Sequence, residues 1–129
     1  MRILLDTHVF LWWIADDARL TPAARAVIAD PANDIHFSVI SAWEIAVKTR
    51  LGRLVLPEDP ERFIPQQVAK NGFLPLPLHL RHALRVGALP DVRRDPFDRL
   101  LVAQAVIEGL HVLTADPSFR GYPVEVIGV

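Results

Sequence analysis

The sequence predicts an α/β fold, a three-layer α/β/α sandwich with a central, mainly parallel sheet. Two observations favour this fold. Short, continuous apolar runs are typical of strands buried on both faces, and helical patterns separate these runs along the chain. With 129 residues, of which 51% are hydrophobic, the chain is expected to form one domain over residues 1–129.

The first elements are a strand, two helices and a second strand. Residues 3–5 are a buried-strand candidate, and an apolar helix through Trp12 and Trp13 follows them. A threonine–proline pair at 21–22 predicts the start of the second helix, because threonine caps a first turn and proline needs no amide partner there. Residues 35–39 are the second strand candidate.

The middle of the chain predicts two further helices and a third strand. A helix over residues 41–51 ends at Gly52, since glycine readily adopts the left-handed conformation that closes a helix. Another helix over residues 60–70 ends at an asparagine–glycine pair. Residues 73–76 follow as the third strand candidate.

The last elements have the clearest boundaries. Residues 78–86 are predicted to be helical, and an aspartate–proline pair starts a strong helix over residues 97–108. A glycine directly follows each of these two helices. Residues 111–114 and 124–127 are the last two strand candidates.

The composition excludes several classes of protein. The chain has no cysteine, so it has no disulfide framework, thiolate-bound metal or cysteine nucleophile. Its longest apolar run, residues 9–15, is far shorter than the roughly 20 residues of a membrane-spanning helix, so no membrane partner is expected. It contains neither a Walker loop nor a Gly-x-Gly-x-x-Gly motif, so no nucleotide cofactor is expected.

The charge and the first residues add two expectations. Lysine and arginine total 14 against 15 acidic residues, so any nucleic-acid binding depends on a local cluster or on metal ions rather than on bulk charge. The first residues lack the apolar stretch and the cleavage site of a signal peptide. A cytoplasmic location is therefore expected.

Four acidic residues are predicted to meet at one edge of the sheet. Asp6 ends the first strand, and Asp116 follows the strand over residues 111–114. Glu44 lies in the first turn of the helix after the second strand, and Asp98 lies in the first turn of the last helix. In α/β sheets the ligand site lies outside the carboxyl ends of the strands, where these four positions converge.

The same residues also have a structural interpretation. Ser41 and Glu44 have the spacing of a capping box, and the three aspartates stand where a carboxylate caps or begins a helix or turn. Convergence from four separate segments is less easily explained by capping. Because close carboxylates repel one another, such a cluster predicts a bound cation, and oxygen ligands suit Mg²⁺ or Mn²⁺. These ions activate water for attack on phosphodiesters, so the cluster indicates a hydrolytic or phosphoryl-transfer enzyme.

The chain resembles the PIN-domain ribonucleases and, among them, the VapC toxins of bacterial toxin–antitoxin systems. The resemblance covers nearly the whole chain. It rests on the following stretches: LLDTHVFLWW at 4–13, Ser38, SAWEIAVK at 41–48, LGRL at 51–54, DPFDRLLVAQA at 95–105, and LTAD at 113–116 with Phe119 and Tyr122 behind it.

This resemblance implies a PIN-like fold in which the four acidic residues form one pocket that holds Mg²⁺ or Mn²⁺. It also implies supporting hydroxyl groups beside the pocket, at Thr7, Ser41 and Thr114. The implied function is that of an endoribonuclease toxin, which hydrolyses RNA phosphodiesters with metal-activated water and leaves 5′-phosphate and 3′-hydroxyl ends. The implied assembly is a homodimer with a cognate antitoxin that blocks the site.

Three arginines beside the pocket are candidates for binding the RNA backbone: Arg93, Arg94 and Arg99. The alternative for them is a solvated loop. Many relatives carry histidine where this chain has Arg93, so no role of that histidine is transferred. Asp95 is interpreted as a helix cap, and His82 is expected on the surface.

Two other functions remain open at this point. A receiver-like, Mg²⁺-binding signalling module needs an acidic pair after the first strand and a lysine after a late strand. Here Asp6 has no acidic neighbour, and Lys48 and Lys70 stand elsewhere. A non-catalytic PIN fold that binds RNA or protein is the other alternative, and the complete set of four acidic residues speaks against it.

Overall fold

A parallel sheet is the centre of the computed structural model, which describes residues 1–128. Within these residues the strands are β1 (Arg2–Leu5), β2 (Asp34–Ser38), β3 (Leu74–Leu76), β4 (His111–Thr114) and β5 (Val126–Gly128). Their order in the sheet is β3-β2-β1-β4-β5, and each pairing is parallel. The predicted α/β fold with a mainly parallel sheet is confirmed.

Helices cover both faces of this sheet. In the described part of the chain they are α1 (Thr7–Ile14), α2 (Pro22–Ala29), α3 (Val39–Arg50), α4 (Pro60–Lys70), α5 (Leu80–Arg85) and α6 (Pro96–Glu108). Short 3₁₀ turns follow α5 at Val86–Ala88 and β4 at Pro117–Gly121. Over residues 1–128, none of the helices combines the length and the apolar character that a membrane span requires.

The alternation of side chains along β1 separates the two layers of the core. Ile3 and Leu5 pack in one cluster with residues of α1, α2 and α4. Leu4 points to the other face, where it packs in a second cluster with Leu101 and Val102 of α6. All five of these side chains are fully buried, so the central strand carries apolar contacts on both faces.

The start of α3 differs from the prediction. The helix begins at Val39 rather than near residue 41, because the hydroxyl of Ser38 accepts the backbone N–H of Ile40 and so caps the first turn. Ser41 is therefore the third helical residue, and the proposed capping box of Ser41 and Glu44 is wrong. Glu44 lies one turn deeper in the helix than expected.

Other boundaries agree or shift slightly. Asp95 caps α6, with its carboxylate accepting the N–H groups of Phe97 and Asp98, as predicted. Gly109 ends this helix with a φ of 66°, in the left-handed region that favours glycine. The strand predicted at 124–127 lies at Val126–Gly128 instead, since these residues are the ones that pair with β4.

The strand order determines where a ligand site can form. β1 lies between β2 and β4. The first crossover therefore adds β2 on one side of β1, and the chain later returns to add β4 on the other side. Such a reversal opens a crevice at the carboxyl ends of the strands. Asp6 follows β1 directly and therefore lies at the mouth of this crevice.

Candidate active site

Asp6 is the central acidic residue of the crevice, and its side chain is 4% exposed. It occupies the N-cap position of α1, but its carboxylate makes no capping hydrogen bond. Its Oδ2 accepts instead from the hydroxyl of Thr114, at 2.8 Å, and the same hydroxyl accepts the backbone N–H of Asp116, at 3.0 Å. Thr114 therefore fixes Asp6 relative to Asp116 across two neighbouring strands.

Glu44 reaches the same crevice from the second turn of α3 and is 2% exposed. One carboxylate oxygen, Oε2, pairs with Lys48 on the next turn of the helix. The other oxygen, Oε1, is buried without a hydrogen-bond partner, a situation shared only with Thr49 Oγ1 among the side chains of residues 1–128. Because a buried carboxylate oxygen without a partner is costly, this atom is a candidate cation ligand.

Asp98 lies in the first turn of α6, at the same edge, and is buried. Burial raises its pKa to about 7, and the negative charges of Asp6, Asp95 and Glu44 add to the rise. Burial also raises the pKa of Asp6, against the hydrogen bond from Thr114, and the charge of Glu44 contributes in the same direction. Asp6, Glu44 and Asp98 therefore interact electrostatically as one group of carboxylates.

Asp116 differs from the other three acidic residues because it is partly exposed and pairs with an arginine. Its Oδ1 accepts the backbone N–H of Ser118 at 2.9 Å, which caps the 3₁₀ turn, and its Oδ2 pairs with the guanidinium of Arg93. Although burial opposes the shift, these hydrogen bonds and the charge of Arg93 lower the pKa of Asp116. Asp116 lies at the rim of the pocket.

The two remaining hydroxyls predicted beside the pocket bond to each other. The Oγ1 of Thr7 and the Oγ of Ser41 are 2.8 Å apart, and both residues are buried. This contact joins the first turn of α1 to the first turn of α3. It therefore sets the spacing between the helix that follows Asp6 and the helix that carries Glu44.

The side chains do not form a ready-made ligand set. Within residues 1–128, no group of three histidine, aspartate or glutamate side chains is arranged to hold a metal ion as it stands. Lys48 and Arg93 pair with carboxylate oxygens of the pocket instead. The donor chemistry still fits a divalent cation, because the negative charges of Asp6 and Glu44 add to the raised pKa of Asp98 and because Glu44 Oε1 has no partner.

The three arginines have different surroundings. Arg93 contacts the pocket, and Arg94 is exposed without an ion pair or side-chain hydrogen bond in the described part of the chain. Arg99 turns away from the pocket and donates to the backbone carbonyls of Val86, at 3.0 Å, and Pro90, at 2.8 Å. Arg99 thus holds the segment before α6 in place. Its guanidinium therefore has few N–H groups left to donate to an RNA phosphate.

Two contacts near the pocket were not expected from the sequence. Lys48 neutralises Glu44, and its spacing of four residues on a helix is a signal that could have predicted the pair. Gln104 of α6 is completely buried, accepts from the hydroxyl of Ser38 and donates to the carbonyl of Pro77. It connects the start of α3 to α6, so it helps to set the distance between Glu44 and Asp98.

His82 was expected on the surface and is completely buried. Its Nδ1 accepts the backbone N–H of His79, and its Nε2 lies 2.8 Å from Glu108 Oε1. These bonds cap the start of α5 and tie it to the end of α6. The residue therefore has a structural role, away from the four acidic residues.

A groove of about 530 Å³ opens beside the pocket. Thr7, His8 and Glu44 line the part nearest the acidic residues, whereas Leu11 and Trp12 of α1 contribute apolar surface farther along. Residues 53–57 form another part of its wall, and Val55 among them is 90% exposed. The groove thus joins an apolar surface to the acidic pocket.

Comparison with known proteins gives similarities in sequence and in fold. A family model described as the PIN domain matches residues 3–125. The chain is 30% identical over 131 aligned residues to Ribonuclease VapC22 of Mycobacterium tuberculosis. This alignment covers 93% of the chain and 91% of that protein. These similarities in sequence extend over nearly the whole chain.

The similarity in fold is equally extensive. The crystal structure of VapBC2 from Rickettsia felis, bound to a DNA fragment from their promoter, matches with a TM-score of 0.74 and 15% identity, over 99% of this chain and 98% of that one. DNA-bound VapBC from Salmonella typhimurium matches with a TM-score of 0.72 and 16% identity, over the same shares of the two chains.

Proposed function

The chain belongs to the PIN domain family, and on this premise we propose that it is a metal-dependent endoribonuclease that acts as the toxin of a toxin–antitoxin pair. The observation that carries the proposal is the meeting of Asp6, Glu44 and Asp98 in one buried pocket at the carboxyl edge of the sheet. A relative that aligns over nearly the whole chain is a ribonuclease, which supports RNA as the substrate class.

We propose that the four acidic residues hold Mg²⁺ or Mn²⁺. Divalent-metal dependence is general among the ribonucleases of this family, and ligands that are all oxygen atoms favour these two ions. When bound, such an ion activates water and stabilises the charge on the phosphate and on the leaving oxygen. Asp116 at the rim would complete the set, and there the ion would compete with the guanidinium of Arg93.

The residues around the pocket position these carboxylates for hydrolysis. Thr114 orients Asp6, and the contact between Thr7 and Ser41 holds α1 against α3. Glu44 Oε1 is the acceptor without a partner, so it is suited to orient a water molecule or to take its proton. We expect water to attack the phosphorus and the 3′-oxygen to leave and take a proton, which gives a 5′-phosphate and a 3′-hydroxyl. Attack by the 2′-hydroxyl would instead give a cyclic phosphate.

The proposed partners are an antitoxin protein and a second copy of the chain. Several structural neighbours are VapBC proteins, a family of toxin–antitoxin systems. The apolar groove beside the acidic pocket offers this chain a surface on which an antitoxin segment would block the site. Leu80 and Leu84 are 78% and 70% exposed on one face of α5, which gives a homodimer a candidate contact. We also propose a cytoplasmic location, because cellular RNA and such a partner would be met there.

Cleavage of a mixed RNA pool by the purified chain tests the proposal. We expect cleavage with Mn²⁺, no cleavage with EDTA, and no cleavage by the Asp98→Asn variant, which also controls for contaminating ribonucleases. Sequencing of the product ends then identifies the cleavage site. Cleavage that persists in EDTA or in Asp98→Asn would contradict the assignment, whereas RNA binding without cleavage by the wild type would favour a non-catalytic PIN fold.

A further inference from the structure

Arg93 lies between two of the four proposed metal ligands. Its guanidinium pairs with Asp116 Oδ2, lies 3.8 Å from Asp98 Oδ2 and is 3.4 Å from the hydroxyl of Ser118. The side chain is 40% exposed. It therefore reaches into the rim of the pocket from the solvent side.

The loop that carries Arg93 is anchored by several hydrogen bonds. The backbone N–H of Arg93 donates to the hydroxyl of Tyr122, a buried residue, at 3.2 Å. Arg99 binds the carbonyls of Val86 and Pro90, which precede Arg93 in the same loop. Asp95 then fixes the end of the loop as the cap of α6. The guanidinium is thus presented to the pocket by an anchored backbone.

Each carboxylate oxygen of Asp116 already has a positively charged or N–H partner. Its Oδ1 is used by the N–H of Ser118, and its Oδ2 by Arg93. Glu44 differs, because its Oε1 has no partner. A divalent cation bound between Asp98 and Asp116 would lie where the guanidinium of Arg93 now lies, and the two positive charges would repel each other there. The ion and the guanidinium therefore compete for these carboxylates.

We propose that Arg93 is a built-in cation that competes with the divalent metal ion for Asp98 and Asp116, so that the chain binds its metal more weakly than its carboxylates alone would. This inference rests on the proposed metal-dependent nuclease. It concerns the regulation of that site by the chain itself, because the metal completes its ligand set only as the guanidinium moves away.

Calorimetric titration of the metal-free, full chain with Mn²⁺ tests the competition. The Arg93→Gln variant should bind Mn²⁺ about three- to tenfold more tightly than wild type, the range that corresponds to loss of a partly exposed, two-carboxylate ion pair. Arg94→Gln is the matched control, because it removes the same charge one residue away from an exposed side chain without an ion pair in residues 1–128. Its Mn²⁺ affinity should remain close to that of wild type.

Arg93→Lys is the second variant, since lysine keeps the charge but loses the planar fork of the guanidinium. Its Mn²⁺ affinity should fall between those of wild type and Arg93→Gln, and circular dichroism checks that each variant folds. If Mn²⁺ binding requires Asp98 but is equally strong in the Arg93→Gln and Arg94→Gln variants, the proposed role of Arg93 is wrong. The metal centre itself would stand in that case. Absence of Mn²⁺ binding in every folded variant would overturn the metal centre, and this inference with it.

Discussion

Thr114 shows at the scale of one residue how the pocket is built. Its hydroxyl donates to Asp6 and accepts from the backbone of Asp116, so one oxygen atom serves two of the four acidic residues. The residue is 1% exposed, and no water is needed to satisfy its hydroxyl. Thr114 therefore orients Asp6 through hydrogen bonds within the protein, without a bound water molecule.

Substitution of Thr114 by valine should separate this positioning role from simple packing. Valine keeps the shape but loses both hydrogen bonds, so we expect RNA cleavage to fall roughly ten- to a hundredfold, as for other residues that orient metal ligands. Thr114→Ser keeps the hydroxyl and should retain most of the activity. Equal activity in the valine and serine variants would show that the hydroxyl does not orient Asp6.

The raised pKa of Asp98 predicts how the metal-free protein responds to pH. Its pKa rises from 3.8 to about 7 on folding, so the folded state holds the proton more tightly than the unfolded state. The stability from this proton is fully present below about pH 3.8 and is lost as the pH rises through about 7. Between about pH 5 and 7, above the ordinary titration range of the other carboxyl groups, this contribution should lower the melting temperature as the pH increases.

Asp98→Asn should remove most of this dependence, because asparagine carries no charge at any pH. At pH 8 the metal-free variant should be more stable than wild type by roughly 1–3 kcal/mol, measured by denaturant unfolding. Asp34→Asn is a suitable control, since Asp34 is exposed at the start of β2. A wild-type curve that is unchanged by Asp98→Asn would contradict the burial of this carboxylate.

Among the helices and strands, some boundaries could be predicted from the sequence and others could not. The strands and the longer helices were predictable because their apolar periodicity and their capping residues agree, as at Asp95 and Gly109. The start of α3 was not predictable, because both Ser38 and Ser41 are residue types that cap helices. The choice between them depends on where β2 ends, which is at Ser38. The depth of Glu44 in the helix depends on that choice.

The parts of the site that could not be predicted depend on contacts distant in sequence. The positions of Asp6 and Asp116 after strands and of Asp98 in the first turn of α6 were predictable, whereas Glu44 lies in the second turn of α3 rather than the first. The burial of His82 depends on Glu108, 26 positions away, and the role of Arg99 depends on backbone carbonyls of the segment before α6. Such partners are brought together only by the complete fold.

The exposed face of α5 gives a prediction about assembly. Leu80 and Leu84 lie one turn apart on the same side of this helix, and both are largely exposed. Glutamate at both positions should convert the proposed dimer to a monomer in analytical ultracentrifugation, because two charges would be buried at the contact. Val55→Glu, which alters an exposed residue of the groove, should leave the dimer intact. A dimer that survives the double substitution must form through another surface.

The whole molecule should respond to metal through its stability. Carboxylates that repel one another in the metal-free state are neutralised on binding, so Mg²⁺ or Mn²⁺ at about a hundred times its dissociation constant should stabilise the fold by about 2.7 kcal/mol. A melting curve at pH 8 should therefore shift upward by several degrees, and EDTA should reverse the shift. An unchanged melting temperature at saturating metal would show that the four acidic residues do not bind an ion together.

The bond between Thr114 and Asp6 also bears on protein synthesis, because it joins positions 108 residues apart. β1 is made first, yet its partner β4 is made late, and Asp116 later still. A nascent chain therefore cannot complete the set of four acidic residues until synthesis has passed Asp116. An incomplete chain that ends before β4 also lacks the hydroxyl of Thr114 that orients Asp6.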